Sequence, residues 1–332
     1  MSEHDVVVIG GGAAGLSAGL VLSRARRRVV VVDADAPRNA PAAHMHGFLS
    51  RDSFSPTDLL TIGRREVESY GAVLVEGRVS GAVPVTGPGT GPRFRVSLSD
   101  GTSFSARRVL VATGLRDELP DIEGVHERWG RDLLHCPYCH GYEVRDQPLA
   151  VLGGSPDAVA HAQLIRQWSA DVALFPHTDT LTTAQREQLA ARAIEVVEGP
   201  VRRLVVVDGR LSGVELEDGR VVDRTAVFVR PVFVPNNDVL VALGAAMDEH
   251  GWVVADVVGA TSVAGVWVAG NVGNPRAQVI TAAGEGSAAA IAINADLVEE
   301  EVSHAITDLA WAGPEEFPPA PEGVGGPEPA KA

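Results

Sequence analysis

The segment VVVIGGGAAGLSAGLVLSRARRRVVVVDADAP, residues 6–37, constrains the fold more than any other part of the chain. An apolar run, a glycine cluster, a helix-forming stretch and four consecutive valines read as strand, turn, helix and second strand. Gly10, Gly12 and Gly15 make G-x-G-x-x-G, with Ala13 and Ala14 at the helix start. Such glycines permit a tight turn, close approach of a pyrophosphate, and close helix–strand packing. The helix N-terminus then offers its N–H groups to the phosphates. Asp33 ends the second strand 18 residues beyond Gly15, where a carboxylate holds a ribose hydroxyl. Arg24, Arg26, Arg27 and Arg28 form the one basic cluster, near the end of the predicted helix, where cations complement the dipole.

The pattern returns later. ARRVLVATG ends a strand at Thr113 and Gly114, and LRDELPDIEG is a polar crossing. PLAVLGGSPDAVAHAQLIRQWSADVALFP is again strand, turn, helix and strand, followed by strands with turns at Asp208–Gly209 and Asp218–Gly219. GVWVAGNVGNPRAQVITAAGEGSAAAIAINADL reads as a strand, a loop and a long helix of small residues. The last block resembles neither nucleotide unit's start, as expected if one domain interrupts the other. The expected fold is α/β, with two Rossmann-like three-layer units. The first unit takes residues 1–117 and 250–312, the inserted unit takes 118–249, and 313–332 form a disordered tail rich in proline and glycine.

A chain of 332 residues, 45% hydrophobic and 21% charged, has room for two such cores. Its net charge of −15 argues against a nucleic-acid partner. The acidic start MSEHD does not read as an export signal, and no segment reads as a membrane span. The expectation is a cytoplasmic protein, where a lone cysteine pair is catalytic or metal-binding more often than structural.

Both cysteines lie in HCPYCHGYE, residues 135–143. Cys136-x-x-Cys139 followed by His140 admits a covalent haem, part of a zinc site, or a redox-active dithiol. Haem attachment needs export. Zinc usually takes a second ligand pair, and this chain has no further cysteine. Two cysteines at a helix start suit a dithiol with lowered thiol pKa values.

The blocks GGGAAG, VATG, CPYC and VAGNV…AQVITAAGEGSAAA, in this order, resemble the low-molecular-weight thioredoxin reductase family of flavoproteins. The resemblance runs from about residue 5 to about residue 310. It implies FAD along Gly10–Gly15, with Asp33 on the adenosine ribose and Thr113 and Gly114 bordering the cofactor. It puts Gly270, Asn271, Gln278 and Val279 near the ribityl chain and flavin ring, although the family usually has Asp where this chain has Asn271. Arg38 and Asn39 would reach the pyrophosphate or adenosine, and His44 falls about where the family has a flavin-facing Asn. Cys139 would exchange electrons with the flavin and Cys136 would form the mixed disulfide with substrate. His140 replaces the family's proton-handling Asp, and an imidazole serves as both acid and base near neutral pH. Members of the family are commonly homodimers.

The second glycine turn departs from a working NADPH site. In GGSPDA, Ser155 replaces a glycine and Pro156 lacks an N–H donor. FPHTDTLT supplies no arginine for a 2′-phosphate, and Asp179 would repel one. NADPH binding is therefore doubtful. CPYCHGYE resembles the subgroup of dithiol oxidases that close the disulfides of gliotoxin- and holomycin-type natural products. The implied partners are a small-molecule dithiol and dioxygen. The alternatives are a reductase fed by NADPH or ferredoxin, acting on a disulfide or a small redox protein, and an FAD-containing redox sensor.

Overall fold

The computed structural model describes residues 3–86 and 91–312; the predicted tail, 313–332, lies outside the described residues. The first elements are β1 (Glu3–Ile9), α1 (Ala13–Arg24), β2 (Val29–Asp33), α2 (Pro56–Ser69), β3 (Val73–Glu76), β4 (Val79–Pro84), β5 (Phe94–Leu98) and β6 (Ser103–Val111). They form a sheet in the order β3-β2-β1-β6-β5-β4. β1 is parallel to both neighbours, with Val6 opposite Val29 and Val7 opposite Val109. Strands covered on both faces need continuous apolar sequence. That is why Val6–Ile9 and Val29–Val32 are unbroken, and all eight side chains are buried.

The chain then leaves this sheet through β7 (Leu115–Glu118), α3 (Val125–Arg128), β8 (Leu133–Leu134) and α4 (Pro137–His140). β9 (Leu149–Leu152), α5 (Ala158–Ile165), β10 (Val172–Phe175), α6 (Thr183–Ala191) and β11 (Glu195–Val196) follow. Next come β12 (Val201–Val207), β13 (Arg210–Leu216), β14 (Val221–Asp223), β15 (Ala226–Phe228) and β16 (Val232–Pro235). A second, all-parallel sheet runs β11-β10-β9-β15-β8. An antiparallel meander of β12, β13 and β14 packs against it, turning at Asp208–Gly209 and Asp218–Gly219. The outgoing β7 and the returning β16 pair antiparallel, with Leu115 opposite Pro235. They are the two-stranded connection between the sheets.

After α7 (Asp238–Ala242), β17 (Val266–Val268) adds to β6 of the first sheet, with Val266 opposite Val109. α8 (Val279–Ala312) closes the described chain. The first sheet is thus interrupted by the second, as the arrangement of blocks predicts. The small residues of α8 let it lie against α1: a methyl on Gly286 would overlap the Ala14 carbonyl. Its far half is tied by charge. Glu300, buried, takes Arg93 at 3.0 Å, Arg107 at 3.2 Å and Arg108 at 2.7 Å. The basic cluster finds side-chain partners rather than only a helix dipole: Arg27 pairs with Glu301, and Arg28 with Asp5. Among the described residues, no helix is long and apolar enough to cross a membrane.

Candidate active site

The first glycine turn lies between β1 and α1, where the sheet order reverses from β2 to β6. Ligands of open α/β sheets bind at such a switch point, beyond the strand C-termini. A methyl on Gly15 would overlap the Gly10 carbonyl, so helix and strand meet there with no room for a side chain. Gly12 is the opposite case. A Cβ built on it meets nothing within 4 Å, and no side chain caps α1. The first turn of α1 thus has no side-chain cap and begins at a glycine beside open space, a cradle that fits a pyrophosphate.

Residues distant in sequence converge on this cradle. A Cβ built on Gly11 comes within 2.8 Å of Asp33, and one built on Gly270 within 3.0 Å of Ala14. Gly270 N–H donates to Glu285 at 2.8 Å, which holds the last block in place. Asn271 gives its amide hydrogens to the carbonyls of Asn274 and Ala277, at 2.9 and 3.0 Å. What it offers a ribityl hydroxyl is therefore its oxygen, an acceptor. Gln278 Oε1 lies 3.6 Å from a Cβ built on Gly47, and Val279 starts α8. Thr113 Oγ1 donates to the Asn236 carbonyl at 2.6 Å, and Asn236 returns a bond to the Thr113 carbonyl at 2.9 Å. Gly114 accepts from Asn236 N–H at 3.0 Å, so the end of β6 is clamped to the end of β16. This collection fits FAD.

Other candidates carry partners that the sequence does not announce. Asp33 pairs with Arg64 at 2.6 Å, and Arg64 also reaches Asp35 at 2.9 Å. Arg38 makes a two-pronged pair with Asp117 of β7, at 2.8 and 2.7 Å, and lies 5.1 Å over the Phe233 ring of β16. Its guanidinium is tied to the two-stranded connection between the sheets. Asn39 lines the cavity beside the cysteines. His44 is exposed, whereas His46, two residues on, keeps only 15% of its side chain exposed.

The cysteines sit just past the C-terminal end of β8. Cys136 is the N-cap of α4, Pro137 occupies its first turn, and Cys136 and Cys139 form a disulfide. Pro is suited to this position, since its missing N–H has no acceptor there in any case. A cavity of about 150 Å³ opens on both cysteines, His140, Trp129 and the Arg38–Asp117 pair. Burial lowers the His140 pKa, against the pull of the Glu143 carboxylate, and His46 adds to the lowering. The ring is therefore neutral at pH 7 and able to accept a proton.

Two further imidazoles back the disulfide. His135 Nδ1 faces the Val229 carbonyl at 3.3 Å, and its ring meets Phe233 edge-on. His161 of α5, 4% exposed, has its ring centroid 6.3 Å from that of His135. Burial pushes each down to about 4. In the unfolded chain both protonate near pH 6.5. Folded stability is therefore complete above about pH 6.5 and falls as pH drops toward 4, by about 2 kcal/mol per imidazole at pH 5. Urea midpoints at pH 7 and pH 5 check this, and His161→Leu is expected to reduce the difference.

The second glycine turn, between β9 and α5, differs from the first. Gly154 N–H donates to Asp179 at 2.7 Å, and Asp157 N–H to Ser155 Oγ at 3.3 Å. Arg230 pairs with Asp157 at 3.0 Å. Two backbone N–H groups of this turn, those of Gly154 and Asp157, are thus bonded to side chains of the chain itself.

The model of the pyridine nucleotide-disulphide oxidoreductase family matches residues 4–286. Thioredoxin reductase sirT of Leptosphaeria maculans is 30% identical over 308 residues, covering 88% of this chain and 94% of that one. Among solved structures, that of HlmI is 58% identical, with a TM-score of 0.91 over 93% of this chain and 97% of that one. An oxidoreductase from Agrobacterium tumefaciens is 35% identical, with a TM-score of 0.83 over 90% and 99%. The glycine cradle, the cysteine pair and these matches agree: the chain belongs to the pyridine nucleotide-disulphide oxidoreductase family, as a thioredoxin reductase-like flavin disulfide oxidoreductase.

Proposed function

We propose that this protein is an FAD-dependent dithiol oxidase that closes an intramolecular disulfide in a small-molecule dithiol, with dioxygen as acceptor and without NADPH. The Asp179 carboxylate at the second glycine turn carries the reading. Both turns lead into an uncapped helix and both leave open space at one glycine, Gly12 and Gly154. At the second, Asp179 accepts the Gly154 N–H, so a carboxylate takes a donor that a phosphate would use. A nucleotide phosphate there would have to displace Asp179 and meet its charge.

The chain's own residues then handle thiols. Neutral His140 takes a proton from a substrate thiol, and the thiolate attacks Cys136. The helix-start position of the pair stabilises thiolate character. The cavity beside the pair reaches both sulfurs and His140, so a small dithiol has access to them. Bound FAD supplies a two-electron acceptor for the dithiol and a route onward to dioxygen. The exposed apolar residues Ile291, Val298, Val302, Ile306 and Leu309 of α8 support a homodimer as the working form.

In air, with 1,4-dithiothreitol as substrate, the protein is expected to form one cyclic disulfide and one hydrogen peroxide per dioxygen consumed. Iodometric peroxide and oxygen-electrode measurements check the ratio. Dithiol oxidation with no oxygen uptake would overturn the reading.

A further inference from the structure

One side chain of the first unit reaches across to the redox turn of the second. His46 lies on the segment between β2 and α2, pinned where Met45 pairs with Phe54. Its Nδ1 is 3.5 Å from Asp52 Oδ1 and its Nε2 is 3.5 Å from Glu143 Oε1. Gly47 N–H donates to the same Asp52 oxygen at 2.9 Å and holds that carboxylate beside the ring. Glu143 follows His140 by three residues, and both Glu143 and His46 act electrostatically on His140. Contacts of 3.5 Å join Glu143 to His46 and His46 to Asp52, and His140, half-buried beside the disulfide, feels both Glu143 and His46 electrostatically. Asp52, at the far end, has 65% of its side chain exposed.

The chemistry needs such a chain. This argument rests on the dithiol-oxidase reading above. The first substrate thiol gives its proton to His140, and its sulfur bonds Cys136 Sγ. The Cys136–Cys139 bond breaks and Cys139 leaves as a thiolate. The second substrate thiol loses its proton, and its sulfur bonds the first substrate sulfur. The bond to Cys136 breaks and Cys136 leaves as a thiolate. The substrate has lost two electrons and two protons, and the cysteine pair holds both electrons. Dioxygen finally takes two electrons and two protons as hydrogen peroxide. One neutral imidazole accepts only one proton, so His140 must pass on the first before it accepts the second.

We propose that His46 is the second proton carrier, receiving protons from His140 by way of Glu143 and releasing them to solvent at Asp52. Its two ring nitrogens face the two carboxylates, so it can take a proton on one side and give one up on the other.

The test is anaerobic stopped-flow bleaching of the flavin by 1,4-dithiothreitol, from pH 6 to pH 9, in His46→Gln and Glu143→Gln. The expected result for His46→Gln is unchanged FAD content and bleaching slowed by roughly 10- to 100-fold. A larger solvent deuterium effect and partial recovery with added imidazole should accompany it. Glu143→Gln, an exposed substitution, should show the same pattern in smaller measure. Wild-type rates and pH profile in both variants would overturn the relay. So would a pH-independent loss that imidazole does not repair, since that marks a purely structural role. If dithiols fail to bleach the wild-type protein, the oxidase reading falls, and the relay with it.

Discussion

Cys136→Ser is expected to stop turnover with every dithiol, by roughly 10³-fold or more, while the protein stays yellow. Serine oxygen cannot form the mixed disulfide, so the substrate sulfur has nothing to attack. The fold does not need the sulfur. The turn is held by backbone bonds, from Cys139 N–H and His140 N–H to the Cys136 carbonyl at 3.1 Å each, and from Gly141 N–H to the Pro137 carbonyl at 2.7 Å. Cys139→Ser should be as inactive but chemically distinct. Its remaining Cys136 thiol should react with 5,5′-dithiobis(2-nitrobenzoate) to give an adduct that persists, because no neighbouring thiol can displace it. In Cys136→Ser the remaining Cys139 should react more slowly. Oxygen uptake reads the loss of activity, and the released thionitrobenzoate with intact-protein mass reads the adduct. The opposite ranking of reactivity would exchange the roles of the two cysteines.

The features legible in sequence are those that local backbone demands dictate. Gly15 stands where a strand and a helix touch, and Gly12 where backbone is exposed to a ligand, so spacing alone locates the turn. Unbroken apolar runs at Val6–Ile9 and Val29–Val32 give the strands covered on both faces. The cysteine pair and Pro137 mark a helix start in the same way.

What sequence leaves hidden is which side chains meet once the sheets are assembled. Arg38 finds Asp117, 79 residues on, and Asp33 finds Arg64, 31 residues on. No periodicity reports either pairing. The family resemblance points to His44 by its position, and nothing in the sequence draws attention to His46, two residues on. The pairing of Met45 with Phe54 and the contact of His46 with Glu143 appear only in three dimensions. Asp179 shows both sides of the matter. Its charge is readable as hostile to a phosphate, but its bond to Gly154 N–H, 25 residues away, is visible only in the fold. That bond puts a carboxylate on one backbone N–H of the second glycine turn.

Electrons are expected to enter from a dithiol and not from a reduced nucleotide. Anaerobic titration of the flavin absorbance tests it most directly, with NADPH, NADH and 1,4-dithiothreitol added separately to the FAD-bound protein. The dithiol is expected to bleach the flavin within seconds, with full return of colour in air, while either nucleotide at millimolar concentration leaves it yellow for minutes. Rapid, complete bleaching by NADPH would instead make the chain a nucleotide-fed reductase.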